Sequence, residues 1–282
     1  MARQGKTLLA ERKLAAPPGP VPTERVTMSE FAGKVALITG GSRGVGRAAA
    51  DEFACRGADV AIIYKSSADL AKEVSSQIHS RGVRCLALQA DLADADATRH
   101  AFEKAVGELG RLDVMVHSAG AQVSWRPVRE HDPKAWADFI ANDLVGGFNA
   151  IQQAVQHMRA GKGGAIIAIS SIASQMCQSR NSQGAAAKAG LEALIRVVAR
   201  EEARSGIRAN AIPIGLTDTQ QTQDAMAQWG AEAAKKVIDA IPLGRIGRPE
   251  EIAKFCAYLA SDDGAYITGK VIQVDGGQII CG

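Results

Sequence analysis

The chain has 282 residues, of which 46% are hydrophobic and 22% charged, so its composition is globular and excludes disorder along the whole length. The 33 basic and 30 acidic residues leave a net charge of +3, which is too balanced for a dedicated nucleic-acid-binding protein. No apolar run approaches the roughly 18 residues that a membrane span requires. We therefore expect neither a nucleic acid nor a membrane as a partner.

Residues 1–30 differ from the rest of the chain, since they combine four prolines between positions 17 and 22 with mixed charges. Their apolar part, residues 8–10, is too short for the core of a signal peptide. We expect an N-terminal extension that is flexible or contacts a neighbouring subunit, with Met28 as an alternative start. No break in composition follows, which predicts one domain over residues 31–282.

Short apolar runs alternate with amphipathic stretches from position 34 onward, as expected when buried strands alternate with helices. This alternation predicts an α/β fold: one doubly wound Rossmann-type domain with a seven-stranded parallel sheet and helices on both faces. The strand-like runs are 35–38, 60–63, 85–88, 114–116, 166–169, 208–212 and 271–274. The helix-like stretches include 45–56, 68–80, 95–109 and 191–203, and we expect a further helix at 222–239.

A glycine-rich turn follows the first predicted strand and precedes a helix. It reads Thr-Gly-Gly-Ser-Arg-Gly-Val-Gly over positions 39–46, with glycines spaced G-x-x-x-G-x-G. Glycine lets the chain turn sharply and lets its backbone approach a pyrophosphate, while the helix N-terminus offers free N–H groups to the phosphates. The turn therefore predicts a dinucleotide site.

Five cysteines are scattered along the chain and form no C-x-x-C pair. They are Cys55, Cys85, Cys177, Cys256 and Cys281. An odd, scattered set argues against a disulfide framework or a zinc ribbon and favours a reducing compartment. We expect a cytoplasmic protein without a metal site.

These motifs resemble the short-chain dehydrogenase/reductase family, and most of all its β-ketoacyl-carrier-protein reductase type. The resemblance extends over about residues 31–280. Besides the glycine turn it rests on the segments Asp91-Leu92, His-Ser-Ala-Gly at 117–120, Ser-Ser at 170–171, Lys-Ala-Gly at 188–190 and Thr-Asp-Thr at 217–219.

The resemblance implies a nicotinamide cofactor, a small-molecule substrate and a homodimer or homotetramer, with subunit contacts through the helix at 184–204 and the segment 271–282. The cofactor contacts that it implies are Gly40, Ser42, Arg43, Gly44, Val45, Gly46, Tyr64, Lys65, Asp91, Leu92, Ser118, Ala119, Gly120, Lys188, Gly215, Thr217 and Thr219.

The residue after the second predicted strand indicates which nicotinamide is bound. NAD sites usually hold the ribose hydroxyls there with an acidic side chain, but this chain has Tyr64 followed by Lys65. Arg43 and Lys65 offer positive charge to a 2′-phosphate. We therefore predict NADP (NADPH), with the alternative that both cations are ordinary surface charges.

The sequence departs from the family at the catalytic residues. Ser171 and Lys188 are present, but the family's tyrosine, four residues before the lysine, is replaced by Gly184. Asp143 stands at the position of the family's asparagine, when Gly146 and Phe148 are matched. We therefore take Ser171, Lys188 and Asp143 as the candidate catalytic residues.

The missing phenol leaves several interpretations open. The first is an NADP-dependent oxidoreductase of carbonyl, alcohol or activated C=C substrates with a non-standard proton source, such as water, Lys188, the substrate or His117. The second is an NADP-binding protein without redox turnover: a cyclase or isomerase, a scaffold or a regulator. The third is an engineered Tyr-to-Gly variant of a reductase, against which Asp143 argues as a second departure.

The loop after Ser171 and the helix at 222–239 are where we expect the substrate. The helix carries Met226 and Trp229 on an apolar face, which favours an apolar or bulky ligand, although the same residues can simply pack on the domain. The predicted substrate-lining residues are Gln175, Cys177, Gln183, Gly184 and Met226, and Arg180 and Asn181 lie in the same loop.

Overall fold

The computed structural model describes residues 30–280. The predicted N-terminal extension, apart from its last residue, and Cys281 lie outside the described residues. Across residues 30–280, no helix combines the length and the apolar character that crossing a membrane would require.

Six strands form one parallel sheet in the order β3-β2-β1-β4-β5-β6. They are β1 (Val35–Thr39), β2 (Asp59–Tyr64), β3 (Cys85–Gln89), β4 (Val114–His117), β5 (Gly164–Ser171) and β6 (Ile207–Ile214). The six coincide with the first six predicted runs, which confirms the α/β Rossmann-type fold.

The helices of the described residues are α1 (Gly44–Cys55), α2 (Ala68–His79), α3 (Ala95–Leu109), α4 (Pro133–Ile140), α5 (Gly146–Ala160), α6 (Ala173–Met176), α7 (Ser182–Glu202), α8 (Gln220–Trp229), α9 (Ala231–Asp239) and α10 (Pro249–Ala260). Four of them, α1, α2, α3 and α7, match predicted amphipathic stretches. A π-helical turn, Ala141–Val145, joins α4 to α5.

The two faces of the sheet carry separate apolar cores because side chains alternate along each strand. Ala36 and Ile38 of β1 pack with α1, α2 and α10, whereas Val35 and Leu37 pack with α3, α5 and α7. Helices therefore cover both faces, which is why the strands read as nearly continuous apolar runs.

The prediction of a seventh strand was wrong. Residues 271–274 run parallel to β6, but only two isolated bridges form, Ala211↔Val271 and Ile214↔Val274. Between those bridges the facing residue of β6 is Pro213, which has no N–H to donate, so the ladder is interrupted. The segment still covers the edge of β6, with Val274 N–H donating to the Pro213 carbonyl at 2.9 Å.

The prediction of one helix over 222–239 was also wrong. Two helices, α8 and α9, meet at Gly230, whose φ is +82°. A left-handed residue cannot continue an α-helix, so the chain turns there.

The strand order changes direction between β1 and β4: β2 and β3 are added on one side of this pair, and β5 and β6 on the other. In open parallel sheets, a crevice forms at the carboxyl ends of the strands at such a switch point. The candidate site lies at this edge of the sheet.

Candidate active site

A cavity of about 960 Å³ lies along the carboxyl edge of the sheet. It extends from the glycine turn between β1 and α1 to Ser171 at the end of β5, and it is large enough for a dinucleotide-sized ligand. The helices α8 and α9 contribute to its outer wall through Thr222, Trp229 and Lys236.

The glycine turn is shaped for close approach of a ligand to the backbone. Gly40 and Gly44 have φ values of +68° and +55°, and a side chain at Gly46 would collide with the Gly40 carbonyl. Arg43, the N-cap residue of α1, makes no side-chain cap, so the first N–H groups of the helix have no side-chain acceptor there. This arrangement presents N–H donors and the positive end of the helix dipole to an anion.

The two cations near Tyr64, Lys65 and Arg43, differ in whether they form an ion pair. Lys65 Nζ lies 2.7 Å from Asp91 Oδ2 and donates to Asn142 Oδ1 at 2.8 Å, so its charge is already partnered at the cavity rim. Burial tends to raise the pKa of Asp91, but hydrogen bonds from Lys65 and the Ala93 N–H outweigh it and lower that pKa overall. Arg43 is exposed and makes no ion pair with any residue between 30 and 280.

Lys188 and Asp143 form an ion pair at the floor of the cavity. Lys188 Nζ lies 3.2 Å from Asp143 Oδ2, and the two side chains are 15% and 2% exposed. The Ala121 N–H donates to Asp143 Oδ1 at 2.5 Å. The π-helical turn directs Asp143 inward, whereas the preceding Asn142 faces Lys65. The ammonium of Lys188 is thus fixed by a buried carboxylate next to open cavity space.

Ser171 ends β5 and lines the same cavity. Its Oγ accepts a hydrogen bond from the Ala173 N–H at 3.2 Å. The turn that carries it is held from below by buried Glu192, which accepts from Ser170 Oγ at 2.6 Å and from Ser174 Oγ at 2.7 Å. Sequence reasoning missed Glu192, because nothing in the sequence links a helical glutamate to two serines in a strand and its turn.

Gly184 lies in the first turn of α7 on the cavity wall, and the carboxamide of Asn181 lies against it. A Cβ built on Gly184 would lie less than 3.0 Å from Asn181 Oδ1, closer than real Cβ atoms come to other atoms. The space beside Gly184 is therefore partly filled by a polar side chain.

His117, at the end of β4, is fully buried. Its Nδ1 lies 2.9 Å from Thr39 Oγ1, and its Nε2 has no hydrogen-bond partner within residues 30–280. Burial, with a smaller effect of the Lys188 charge, lowers the pKa of His117 to about 3. The imidazole is therefore neutral near pH 7, and it does not line the cavity.

Two tryptophans meet across the mouth of the cavity. Trp125, in the loop after β4, and Trp229, at the end of α8, pack edge to face with ring centroids 5.0 Å apart, and both line the cavity. Gln221 Nε2 also donates to the Ala121 carbonyl at 3.1 Å, which ties α8 to the same loop. This contact gives the outer part of the cavity an aromatic wall.

The structure brings the predicted cofactor and catalytic residues together. Sixteen of the seventeen predicted cofactor contacts line the cavity, and Gly46 packs behind the turn instead. Ser171, Lys188, Asp143 and Gly184 line it as well.

Four predicted substrate-lining residues do not line this cavity: Gln175, Cys177, Gln183 and Met226. Gln175 accepts a hydrogen bond from Gln273, Cys177 is exposed, and buried Gln183 faces a smaller neighbouring cavity. Asn181, Met176 and Gln178 of the same segment line the cavity instead. A left-handed residue at Cys177 and another at Arg180 turn the loop, and no sequence pattern announces either.

Known proteins agree with this architecture. The family model described as enoyl-(acyl carrier protein) reductase matches residues 40–278. The 3-oxoacyl-(acyl-carrier-protein) reductase of Staphylococcus aureus is 38% identical over 245 residues, which is 87% of this chain and 98% of the relative. The cis-4-hydroxycyclohexanecarboxylate dehydrogenase of Sinomonas cyclohexanicum is 38% identical over 247 residues, 88% of this chain and 97% of that enzyme.

A solved structure, a blue fluorescent protein from a metagenomic library in complex with NADPH, is similar with a TM-score of 0.82 and 33% identity. The match covers 89% of this chain and all of that one. The chain belongs to the short-chain dehydrogenase/reductase family.

Proposed function

We propose that the chain is an NADP(H)-dependent oxidoreductase of carbonyl, alcohol or activated C=C substrates, whose proton source is not a tyrosine. The observation that carries this proposal is the buried Lys188–Asp143 pair beside Ser171, in the cavity that begins at the glycine turn. The family and the NADPH complex of the similar blue fluorescent protein support a nicotinamide cofactor.

The residues present fit a dinucleotide. The positive φ of Gly44, the crowding at Gly46 and the uncapped start of α1 leave a cradle for a pyrophosphate that a side chain would fill. Bound NADPH would supply a hydride to the substrate. Lys188, at the cavity floor, would hold the nicotinamide ribose.

NADP is favoured over NAD by the charges at the adenosine end. Tyr64 brings no carboxylate, and Lys65 neutralises the nearby carboxylate of Asp91. Arg43 is left to form a charge-assisted hydrogen bond with a 2′-phosphate. Repulsion of that phosphate is thus removed and attraction is added.

Catalytic roles follow from the chemistry of the remaining groups. The Ser171 hydroxyl can donate a hydrogen bond to a substrate oxygen, which polarises a carbonyl. Lys188, held by Asp143, can pass a proton to that oxygen through a water molecule in the space beside Gly184. Within residues 30–280, the three tyrosines (Tyr64, Tyr258 and Tyr266) lie in other elements, and the last two do not line the cavity.

A second function, NADP binding without redox turnover, is favoured by one observation. The carboxamide of Asn181 lies beside the position of the family's phenol, and an amide has no proton to transfer near pH 7. In that case the same cavity would serve a non-redox reaction or a binding role.

The test is the NADPH-dependent turnover of the wild type and two variants on a panel of β-ketoacyl thioesters, cyclic ketones and enones. Lys188→Met should weaken NADPH binding and lower turnover, because it removes the ribose contact and the proton source. Ser171→Ala should lower turnover by about 10²-fold and leave NADPH binding nearly unchanged. Wild-type rates in both variants would rule out this site as the active site.

A further inference from the structure

Asn181 carries a buried hydrogen-bond acceptor that the molecule itself does not use. The side chain is 5% exposed and lines the large cavity. Its Nδ2 donates to Gln178 Oε1 at 3.3 Å, whereas Oδ1 has no partner in the described part of the chain. Buried polar atoms are nearly always hydrogen-bonded in native proteins, so an unused acceptor on a residue that lines the cavity requires a donor from a bound water molecule or a ligand.

Asn181 stands at the N-cap position of α7, but its side chain does not cap the helix. An asparagine at this position usually caps the helix by accepting an N–H from its first turn. Here only the backbone carbonyl is used, by the Ala185 N–H at 3.0 Å. The side chain makes no capping hydrogen bond and packs against Gly184 instead.

Gly184 and Asn181 depend on each other. Because a Cβ at 184 would overlap Asn181 Oδ1, any other residue there would push the carboxamide out of its place. The glycine is thus the residue that admits the carboxamide at this place.

We propose that Asn181 is a substrate-positioning residue whose Oδ1 accepts a hydrogen bond from the hydroxyl group of the alcohol substrate. The inference rests on the proposed oxidoreductase function. Since Nδ2 is engaged by Gln178, the free atom is an acceptor, which suits a hydroxyl group and not a ketone oxygen. An amide oxygen holds the hydroxyl group without removing its proton, so Asn181 only orients the bound alcohol. In oxidation the hydroxyl proton leaves through the water molecule to Lys188, which has first released a proton to solvent, and this path is the reverse of the one proposed for reduction.

The first experiment tests the steric part without any substrate. Gly184→Ala should lower the melting temperature of the wild type, and should lower it less, or raise it, when Asn181→Ala is also present. Gly107→Ala is the matched control, because Gly107 lies in α3 with nothing within 4 Å of the added Cβ, and it should not lower the melting temperature. Equal losses from Gly184→Ala in both backgrounds, or no loss in either, would overturn the steric dependence of Asn181 on Gly184.

The second experiment tests the ligand. The probes are two pairs of an alcohol and its matching ketone. The first pair is β-hydroxybutyryl thioester and β-ketobutyryl thioester, and the second is hydroxycyclohexanecarboxylate and the ketone derived from it. Asn181→Ala should raise the KM of an alcohol about three- to tenfold, the usual effect of one lost hydrogen bond, while the KM of the matching ketone changes less than about twofold. NADP affinity, measured by calorimetry, should stay the same.

The outcomes separate the two proposals. An unchanged alcohol KM, or equal changes for alcohol and ketone, in a variant that binds NADP normally would overturn the role of Asn181 and leave the oxidoreductase proposal standing. A wild type that turns over none of these pairs and none of the enones would contradict the proposed function and the substrate role together, and the stability cycle would still decide whether Asn181 requires Gly184.

Discussion

Arg43 and Lys65 are two cations at one end of the cavity, and they differ in whether a carboxylate already neutralises their charge. Lys65 is paired with Asp91, so its charge mainly neutralises that carboxylate and attracts a bound anion less. Arg43, at the N-cap of α1, has no ion pair among the described residues. The sequence placed both residues near the 2′-phosphate, but it did not distinguish the engaged cation from the available one.

Arg43→Ala should therefore weaken NADPH binding by about 1–3 kcal/mol, because it removes a charge-assisted hydrogen bond to the 2′-phosphate. NADH, which lacks that phosphate, should bind the variant as it binds the wild type. Calorimetric titration of both cofactors checks this. An equal loss for NADH and NADPH would mean that Arg43 does not face the phosphate.

Gly184→Tyr would place a phenol where we predict the position of the family's tyrosine, but the structure argues against a gain in activity. The new Cβ would displace Asn181, and the ring would enter space on the cavity wall. We expect lower affinity for substrate and lower turnover in the single variant.

Adding Asn181→Ala to Gly184→Tyr should recover part of that activity, because it removes the clash. Initial rates of both variants on the same substrate provide the check. A well-placed general acid raises a rate by about 10²-fold. If the initial rate of Gly184→Tyr alone rose by that factor, Gly184 would merely lack the tyrosine, and the clash with Asn181 would not matter.

The glycine turn and α1 act together as one element. Sequence spacing located them because glycines at these intervals between a strand and a helix are typical of a phosphate-binding turn, and the backbone bears this out in the positive φ of Gly40 and Gly44. A Cβ at Gly44 would approach Thr219, which also lines the cavity, at 3.3 Å.

Gly44→Ala should lower NADPH affinity about tenfold or more while the fold is kept, since the left-handed conformation costs an alanine about 1–2 kcal/mol. The added methyl group also stands where the pyrophosphate should approach the backbone. Cofactor titration together with thermal unfolding checks this, with Gly107→Ala as the control glycine substitution. Undiminished affinity in a folded Gly44→Ala protein would contradict the role of the turn.

The strands and helices were predictable wherever hydrophobic periodicity alone determines them. Six strands and the helices α1, α2 and α3 follow the hydrophobic periodicity. The prediction of a seventh strand was wrong because Pro213 interrupts the hydrogen bonds between β6 and residues 271–274, and hydrophobic periodicity carries no information about such pairing. The prediction of one helix at 222–239 was wrong because Gly230 has a positive φ.

The site was predictable as far as the motifs reach. The Lys188–Asp143 pair follows from two positions in the family pattern. The Asn181 carboxamide does not, because its place depends on how a loop with left-handed residues at Cys177 and Arg180 packs against a glycine. Tertiary contacts of this kind have no signature in local sequence.

The whole molecule should lose stability in acid through buried His117. Its pKa in the folded state is lowered to about 3, by burial first and by the charge of Lys188 second, whereas an unfolded histidine titrates near 6.5. Between these values the unfolded chain binds more protons, so stability falls as the pH falls from about 6.5 towards 3.

We expect a loss of about 1–3 kcal/mol from this group between pH 7 and pH 4.5. His117→Asn, which keeps a polar side chain beside Thr39, should flatten this part of the profile. Denaturant unfolding at several pH values measures both proteins. Parallel profiles for the wild type and His117→Asn would contradict a neutral, buried imidazole.

We propose that the residues of this cavity support hydride transfer to or from a substrate without a tyrosine. The most direct measurement uses NADPH labelled with deuterium at the transferable position, with mass spectrometry of the products of the β-ketoacyl, cyclic ketone and enone panel. We expect deuterium in a product of the wild type, and much less deuterium in the product of Lys188→Met. NADPH binding without deuterium in any product would contradict the claim and favour a non-redox role for the cavity.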